Sequence, residues 1–289
     1  KNGLVKRLES SFYAFQVSIN NFRQANQNML DMFANNKVVI APDLDINTML
    51  ATMTEEEIEE RLNEKAKNNP KNAVFKADDF RPDFIEMLQA DQIILEQMCN
   101  EWQDISDNDD SKFAKFKELL KHELFKIENN PEQKLVVFSE SVDTVNYLQR
   151  RINRPDVLVI SSDNRGQQFK TIRENFDANY KTKLNDYNII LTTDVLAEGV
   201  NLHRSNVIVN YDTPWNSTRL MQRIGRVNRI GSVSKHIYNY VFYPSREGNR
   251  EINLNQIAVS KIQTFHSTFG EDNQIYSQNE ILDRRLSKL

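Results

Sequence analysis

Leu4, Leu8, Phe12, Phe15, Ile19, Phe22, Met29, Leu30 and Phe33 recur at intervals near three and four, the spacing of one helix face. The pattern predicts one long amphipathic helix over 4–34 whose aromatic stripe packs against a sheet domain. Asn35-Asn36, the stretch 37–41 and Pro42-Asp43 break it, and Thr54 ahead of Glu55-Glu56-Glu57 reads as the N-cap of a helix with an acidic first turn. Positions 63–79, rich in Asn, Lys and Asp around Pro70, read as a mobile linker. Helical spacing returns over 82–102 through Phe84, Leu88, Ile93, Leu95 and Met98. It returns again over 111–127, after the polar break 106–110, with Asp110 or Ser111 as cap.

The period changes after Asn129-Asn130-Pro131. Leu135-Val136-Val137-Phe138 is a continuous apolar run, too short for a helix and suited to a strand buried on both faces of a parallel sheet. Further strands are expected at 157–160, 188–191, 207–209 and 237–243, with helices to about Asn153 and over 167–179. Strands alternating with helices over short connections imply right-handed crossovers. The fold class is therefore α/β: a three-layer, RecA-like parallel sheet domain with an N-terminal long helix and a helical insertion. Three segments follow: a helical lead-in with an acidic insertion at 1–130, the sheet domain at 131–249, and a helical tail at 250–289 with few apolar anchors.

A chain of 289 residues, 27% charged and 39% hydrophobic, can bury one core and an appended unit. Its net charge of −4 hides a division: residues 37–130 hold 12 Lys and Arg against 22 Asp and Glu, whereas 203–250 hold 8 against 2. Charge is screened over roughly 8–10 Å at physiological ionic strength, so the local excess near 203–250 governs what that region meets. One Cys excludes an internal disulfide framework, and the four His show no metal-ligand spacing. The acidic run 106–110 lacks the Gly and distant Glu of a calcium loop, so no metal site is expected. No run approaches eighteen apolar residues and the first residues lack a signal-peptide layout. The expectation is a cytoplasmic protein away from membranes and, given its truncated motif set, cut from a longer one.

The sharpest chemistry lies in Gln222-Arg223-Ile224-Gly225-Arg226-Val227-Asn228-Arg229-Ile230-Gly231. Arginines three apart on a helix share a face and repel one another, and their planar donor sets suit phosphoryl oxygens. A solvated basic face is the plainer alternative. Upstream stand Leu191-Thr192-Thr193-Asp194-Val195-Leu196-Ala197-Glu198-Gly199-Val200-Asn201-Leu202, an apolar run from Asn206 to Tyr211, and Asp212-Thr213-Pro214-Trp215-Asn216. The layout is strand, Gly-punctuated loop, strand, Pro turn and Arg-bearing helix, which brings loop and helix to one sheet edge.

As an ordered set these motifs resemble the second motor lobe of superfamily-two helicases and translocases, most of all the chromatin-remodeller-like branch with the bacterial RNA-polymerase-recycling ATPase and phage-type helicases. Lys6-Arg7-Leu8-Glu9-Ser10-Ser11 with Ala14-Phe15 resembles the helical approach to that lobe in phage-type members. The resemblance implies that Arg229 is an arginine finger, that Arg226 also reaches the γ-phosphate, and that Gln222 positions the finger. It places Gly199 and Asn201 near the nucleotide ribose, with Glu198 as a positioning partner, and puts Ser139 and Thr193 on the nucleic-acid backbone.

The chain contains no Gly-x-x-x-x-Gly-Lys-Ser/Thr loop and no Asp-Glu-x-His-like box. ATP and magnesium would therefore be held mainly by a first lobe outside this chain, which is expected not to hydrolyse ATP alone. The implied partners are that lobe and DNA, duplex DNA more than RNA. A non-catalytic binding module with a helicase-like fold, using the acidic insertion as its contact surface, is the alternative. Structural roles compete at single positions too: Gly199 in a left-handed turn, Gly225 allowing close helix packing, Ser139 and Thr193 as caps, Asn201 bonded to its own loop, Trp215 as a packed anchor.

Overall fold

The computed structural model describes residues 2–103, 105, 109–214 and 217–245; Trp215, Asn216 and the tail at 250–289 lie outside the described residues. Helices α1 (Asn2–Ser10) and α2 (Phe12–Ala34) stand where one helix is expected. The break falls at Ser11, which caps α2 by accepting from the Ala14 N–H at 3.1 Å. The hydroxyls of Ser10 and Ser11 each bond Thr144 Oγ1, at 2.6 and 2.9 Å. Two adjacent serines that pair with a partner elsewhere interrupt the helix without any Gly or Pro.

The chain divides into two compact units, residues 16–106 and the remainder. The first contains most of α2, then β1 (Val38–Ile40), α3 (Ile46–Thr52), α4 (Glu55–Ala66), β2 (Ala73–Phe75) and α5 (Asp83–Gln103). Thr54 caps α4 in a reciprocal box: its hydroxyl accepts from the Glu57 N–H at 3.4 Å, and Glu57 accepts from the Thr54 N–H at 2.8 Å. The segment expected to be a mobile linker is instead built in. Strand β2 pairs antiparallel with β1, Val39 opposite Val74. The Asn69 and Asn72 amides each donate to Asp43 at 2.8 Å, and Asn72 is buried. The aromatic stripe of α2 also departs from expectation. Met32 and Phe33 fill the core of this unit with Val38, Val39, Met49, Ile58 and Leu62, while Phe22 stays exposed.

The second unit gathers α1, α6 (Ser111–His122), β3 (Leu135–Phe138), α7 (Val142–Ile152), β4 (Val157–Ile160), α8 (Arg165–Phe176), β5 (Ile189–Thr192), β6 (Val207–Asn210), α9 (Ser217–Val227) and β7 (Tyr238–Val241). Its five strands are all parallel in the order β4-β5-β3-β6-β7. The two-residue period divides the core. Val136, Phe138, Ile190 and Ile208 pack with Ile172 and Phe176 of α8 and Leu220, Ile224 and Val227 of α9. Leu135, Val137, Leu191 and Val209 face the other way, onto Phe113 and Phe116 of α6 and Val145 and Leu148 of α7. This is the expected three-layer α/β arrangement. Helix α6 belongs to it because both its phenylalanines are buried against the sheet, so the unit reaches upstream of the boundary read at residue 131. Asp110 rather than Ser111 caps α6, accepting from the Phe113 N–H at 2.8 Å, and the helix stops at His122 instead of Ile127.

Charged groups are bonded into both sheet edges. At the C-terminal edge, Asp212 follows β6 and accepts from the Ser139 hydroxyl at 2.5 Å, the Glu140 N–H at 2.7 Å and the Ser10 hydroxyl at 3.1 Å. Lys112 completes this hub, donating to the Glu9 and Ser10 carbonyls and to Asp212. At the N-terminal edge, Arg204 donates to Glu132, Asn185 and the carbonyls of Glu174, Asn175 and Leu184. Beside it Lys134 is fully buried and donates to the Tyr187 carbonyl at 2.6 Å. Burial first, and the neighbouring Arg204 second, push its pKa from 10.5 down to about 8. Between those two values the unfolded chain binds the proton and the folded chain does not, so stability should rise with pH across that interval. Denaturant unfolding measured at pH 8 and pH 10 should show this gain in the parent chain and lose it in Lys134→Met; equal pH slopes would refute the assignment.

Candidate functional site

The loops at the carboxyl ends of parallel strands carry free backbone donors and gather side chains from different elements. After β5 the chain runs through Thr193, a short turn at Asp194–Leu196, and on to Asn201. Leu196, Ala197, Val200 and Leu202 are buried in the core below, which leaves Glu198 and Gly199 exposed between fixed anchors. Gly199 has φ +79°, a left-handed conformation that suits glycine. The Leu202 N–H donates to the Arg226 carbonyl at 2.9 Å, tying this loop to the end of α9.

The three arginines do not share one role or one face. Arg223 is fully buried: its Nε donates to Asp194 at 2.7 Å, its Nη1 to Asn210 at 2.9 Å, and its guanidinium lies 5.1 Å from the Phe138 ring centroid. Asp194 also accepts from Arg219 at 2.8 Å. Arg223 therefore leaves the expected phosphate-facing set, because the turn after β5 and the polar end of β6 claim it. Helix α9 stops at Val227, so Arg229 sits just beyond it, exposed. Its Nε donates to the Gly225 carbonyl at 3.1 Å and its Nη1 to Asn201 Oδ1, both neutral acceptors. Arg226 is half-buried between them in sequence, and its Nε is buried without a hydrogen-bond partner. Burial first, then the nearby Arg229, lower the Arg226 pKa, with Glu198 opposing.

Gln222 donates to Glu198 at 3.3 Å, which joins α9 to the loop. Asn201 does not bond its own loop but accepts from Arg229. Gly225 leaves open space where a Cβ would stand, so close packing is not its reason. Thr193 is half-exposed and makes no capping bond, which leaves its hydroxyl at the rim. Ser139 is different. It is fully buried with its hydroxyl given to Asp212, so it shapes the turn after β3 and cannot reach a nucleic-acid backbone directly from this position. Ser141, not Ser139, caps α7. Near that turn a cleft of about 220 Å³ is lined by Lys6, Arg7, Glu140, Ser141 and Thr213 among others. Arg7 donates to Ser141 at 2.7 Å there, which places the polar face of α1 beside the strand ends.

Sequence reasoning missed Arg165, whose Nη2 donates to the Glu198 carbonyl at 2.7 Å, and the acceptors Asp194 and Asn210. Polar residues that close otherwise apolar strands were the available signal for the last two. Behind the loop, His203 is buried 3.8 Å from Asp177, its pKa lowered by burial against the pull of that carboxylate. Among the described residues no group of three or more His, Cys, Asp or Glu stands where it could hold a metal ion, and no helix is long and apolar enough to cross a membrane.

Residues 111–231 match the family described as "Helicase conserved C-terminal domain". The chain is 34% identical over 94 residues to the "Uncharacterized ATP-dependent helicase YqhH" of Bacillus subtilis (strain 168), a match covering 32% of this chain and 16% of that protein. It is 29% identical over 133 residues to the "Probable ATP-dependent RNA helicase ddx51" of Dictyostelium discoideum, covering 44% of this chain and 23% of that protein. The chain thus spans less than a third of the length of these relatives. The solved C-terminal part of the Fun30 ATPase domain resembles it with a TM-score of 0.41 and 15% identity, over 83% of this chain and 64% of that one.

The contrast among the arginines is measurable on this chain. Arg223→Ala leaves the Asn210 oxygen without its donor and Asp194 with Arg219 alone, and should destabilise it by about 3 kcal/mol, whereas Arg226→Ala should stay within about 0.5 kcal/mol. Equal losses in urea unfolding would mean that the arginines form one equivalent face.

Proposed function

We propose that this chain, which carries the C-terminal lobe of a superfamily-two helicase through residues 111–231, lends Arg226 and Arg229 to an ATP site completed by another motor lobe. The observation that carries this reading is the state of the two guanidinium groups. Arg229 rests on neutral oxygens at an exposed strand-end rim, and the Arg226 Nε has no partner. Two cations that repel each other without a carboxylate in salt-bridge contact among the described residues are poised for an anion.

The residues present fit a nucleotide phosphate: a planar donor fork and an orphaned guanidinium nitrogen. ATP, with magnesium, supplies the transferable phosphoryl group when bound. On this reading Arg229 neutralises charge that grows on the phosphoryl oxygens, Arg226 adds a second positive group, and Gln222 with Glu198 keeps α9 and the loop in register. Gly199 and Asn201 lie along the ribose. The absence from this sequence of a Gly-x-x-x-x-Gly-Lys-Ser/Thr loop supports a division of labour, with the other lobe holding the phosphates and the metal. The cleft would close on ATP and move both lobes along a phosphate track.

Duplex DNA is the substrate we favour, on the strength of Pro214-Trp215-Asn216 followed by Arg229-Ile230-Gly231. RNA is the second reading, favoured by the name of the ddx51 relative. Thr193 at the rim would touch the backbone of either, and the basic balance of 203–250 suits both.

In the full-length protein, Arg229→Ala should lower stimulated ATPase activity by roughly 10³-fold or more, and Arg229→Lys should restore it only in part. An Arg229→Ala protein that hydrolyses ATP at the parent rate would remove the finger from this position. Separately, duplex DNA should stimulate the parent more than RNA does; stimulation by RNA alone would favour the second reading.

A further inference from the structure

Arg165 occupies the first turn of α8, where a positive charge meets the positive end of the helix dipole. Its backbone is nonetheless rigidly set. The Asn164 side chain accepts from the Ser161 N–H at 2.9 Å and donates to the Val159 carbonyl at 3.0 Å, and the Arg165 N–H donates to the Ser161 carbonyl at 3.1 Å. From this base the guanidinium crosses from the end of β4 to the loop after β5 and donates to the Glu198 carbonyl at 2.7 Å. No salt bridge to Arg165 exists among the described residues, so ion pairing does not account for a cation at a helix start.

The next residue explains the geometry. A Cβ on Gly199 would overlap the Arg165 Nη2, so a side chain there displaces the guanidinium, and the φ of +79° itself favours glycine. Glu198 is thereby held twice, at its carbonyl by Arg165 and at its carboxylate by Gln222, while Asn201 is held by Arg229. We infer that Arg165 is a positioning residue, a strut from α8 that fixes the Glu198–Asn201 loop in the conformation that receives the nucleotide.

This rests on the nucleotide-facing reading of that loop. Without the strut, Gly199 is free to sample both signs of φ, and the loop must be ordered again at each binding event. The loss falls on binding more than on the chemical step.

In the full-length protein, Arg165→Ala should raise the KM for ATP about tenfold, as expected for one hydrogen bond from a charged donor, with kcat changed less than about threefold. Arg165→Lys, which can still donate to the carbonyl, should recover part of the difference. Gly199→Ala evicts the guanidinium and adds backbone strain, so the double variant Arg165→Ala/Gly199→Ala should be no worse than Gly199→Ala alone. Hydrogen exchange on this chain supplies an arm that does not involve ATP: amides of residues 193–202 should exchange faster in Arg165→Ala. A parent-like KM, fully additive losses, or unchanged exchange in that segment would each overturn the inference. A full-length parent that hydrolyses no ATP would instead overturn the nucleotide reading, and the exchange result would still decide whether Arg165 holds the loop.

Discussion

The rim depends on one buried cation. Arg223 leaves water entirely, and its two principal bonds join the turn after β5 to the last residue of β6 from a helix that follows both. A guanidinium in a low-dielectric core is costly unless its donors are met in good geometry. Here Asp194 and Asn210 meet Nε and Nη1, Phe138 lies under the plane, and Nη2 remains without a partner. The arrangement therefore contributes orientation more than net stability: it sets the rotation of α9, and with it where Gln222, Arg226 and Arg229 emerge. Shifting α9 by one residue would turn Arg223 away from Asp194 and carry the other two with it.

The helicase-type repeat of arginines thus separates into unlike parts. One is structural, one is half-buried with an orphaned nitrogen, and one lies past the helix on neutral oxygens. Mutual repulsion between Arg226 and Arg229 persists because the fold puts Asp194 on Arg223 and Arg219 instead. Asp194 thus braces the scaffold, and Glu198, held by Gln222, is the carboxylate that acts on Arg226 from the loop.

The sheet was legible because a strand buried on both faces has to be apolar throughout, as Val136, Val137, Ile190 and Ile208 are. The caps at Thr54 and Asp110 were legible for a similarly local reason, since a short side-chain acceptor beside the free N–H groups of a helix start has few other uses. What escaped was non-local. Nothing within residues 4–34 says that Ser10 and Ser11 meet Thr144, so the helix break was invisible. Asn69 and Asn72 look like linker residues until Asp43 is found beside them. The same holds at the rim. Spacing put Arg223 with its fellows and the family resemblance put Ser139 on a nucleic-acid backbone, while the folded partners Asp194, Asn210 and Asp212 are what hold the two side chains inside.

Lys112 reaches back to the carbonyls of Glu9 and Ser10, so the polypeptide returns to the sheet unit within hydrogen-bond distance of the place it left. The excursion between them, residues 16–106, is a closed detour whose stems are pinned together by the host. Ring-closure entropy grows slowly with length, by about 0.6 kcal/mol per doubling. A detour pinned in this way can be lengthened, trimmed or traded for an unrelated one at little thermodynamic penalty to its host.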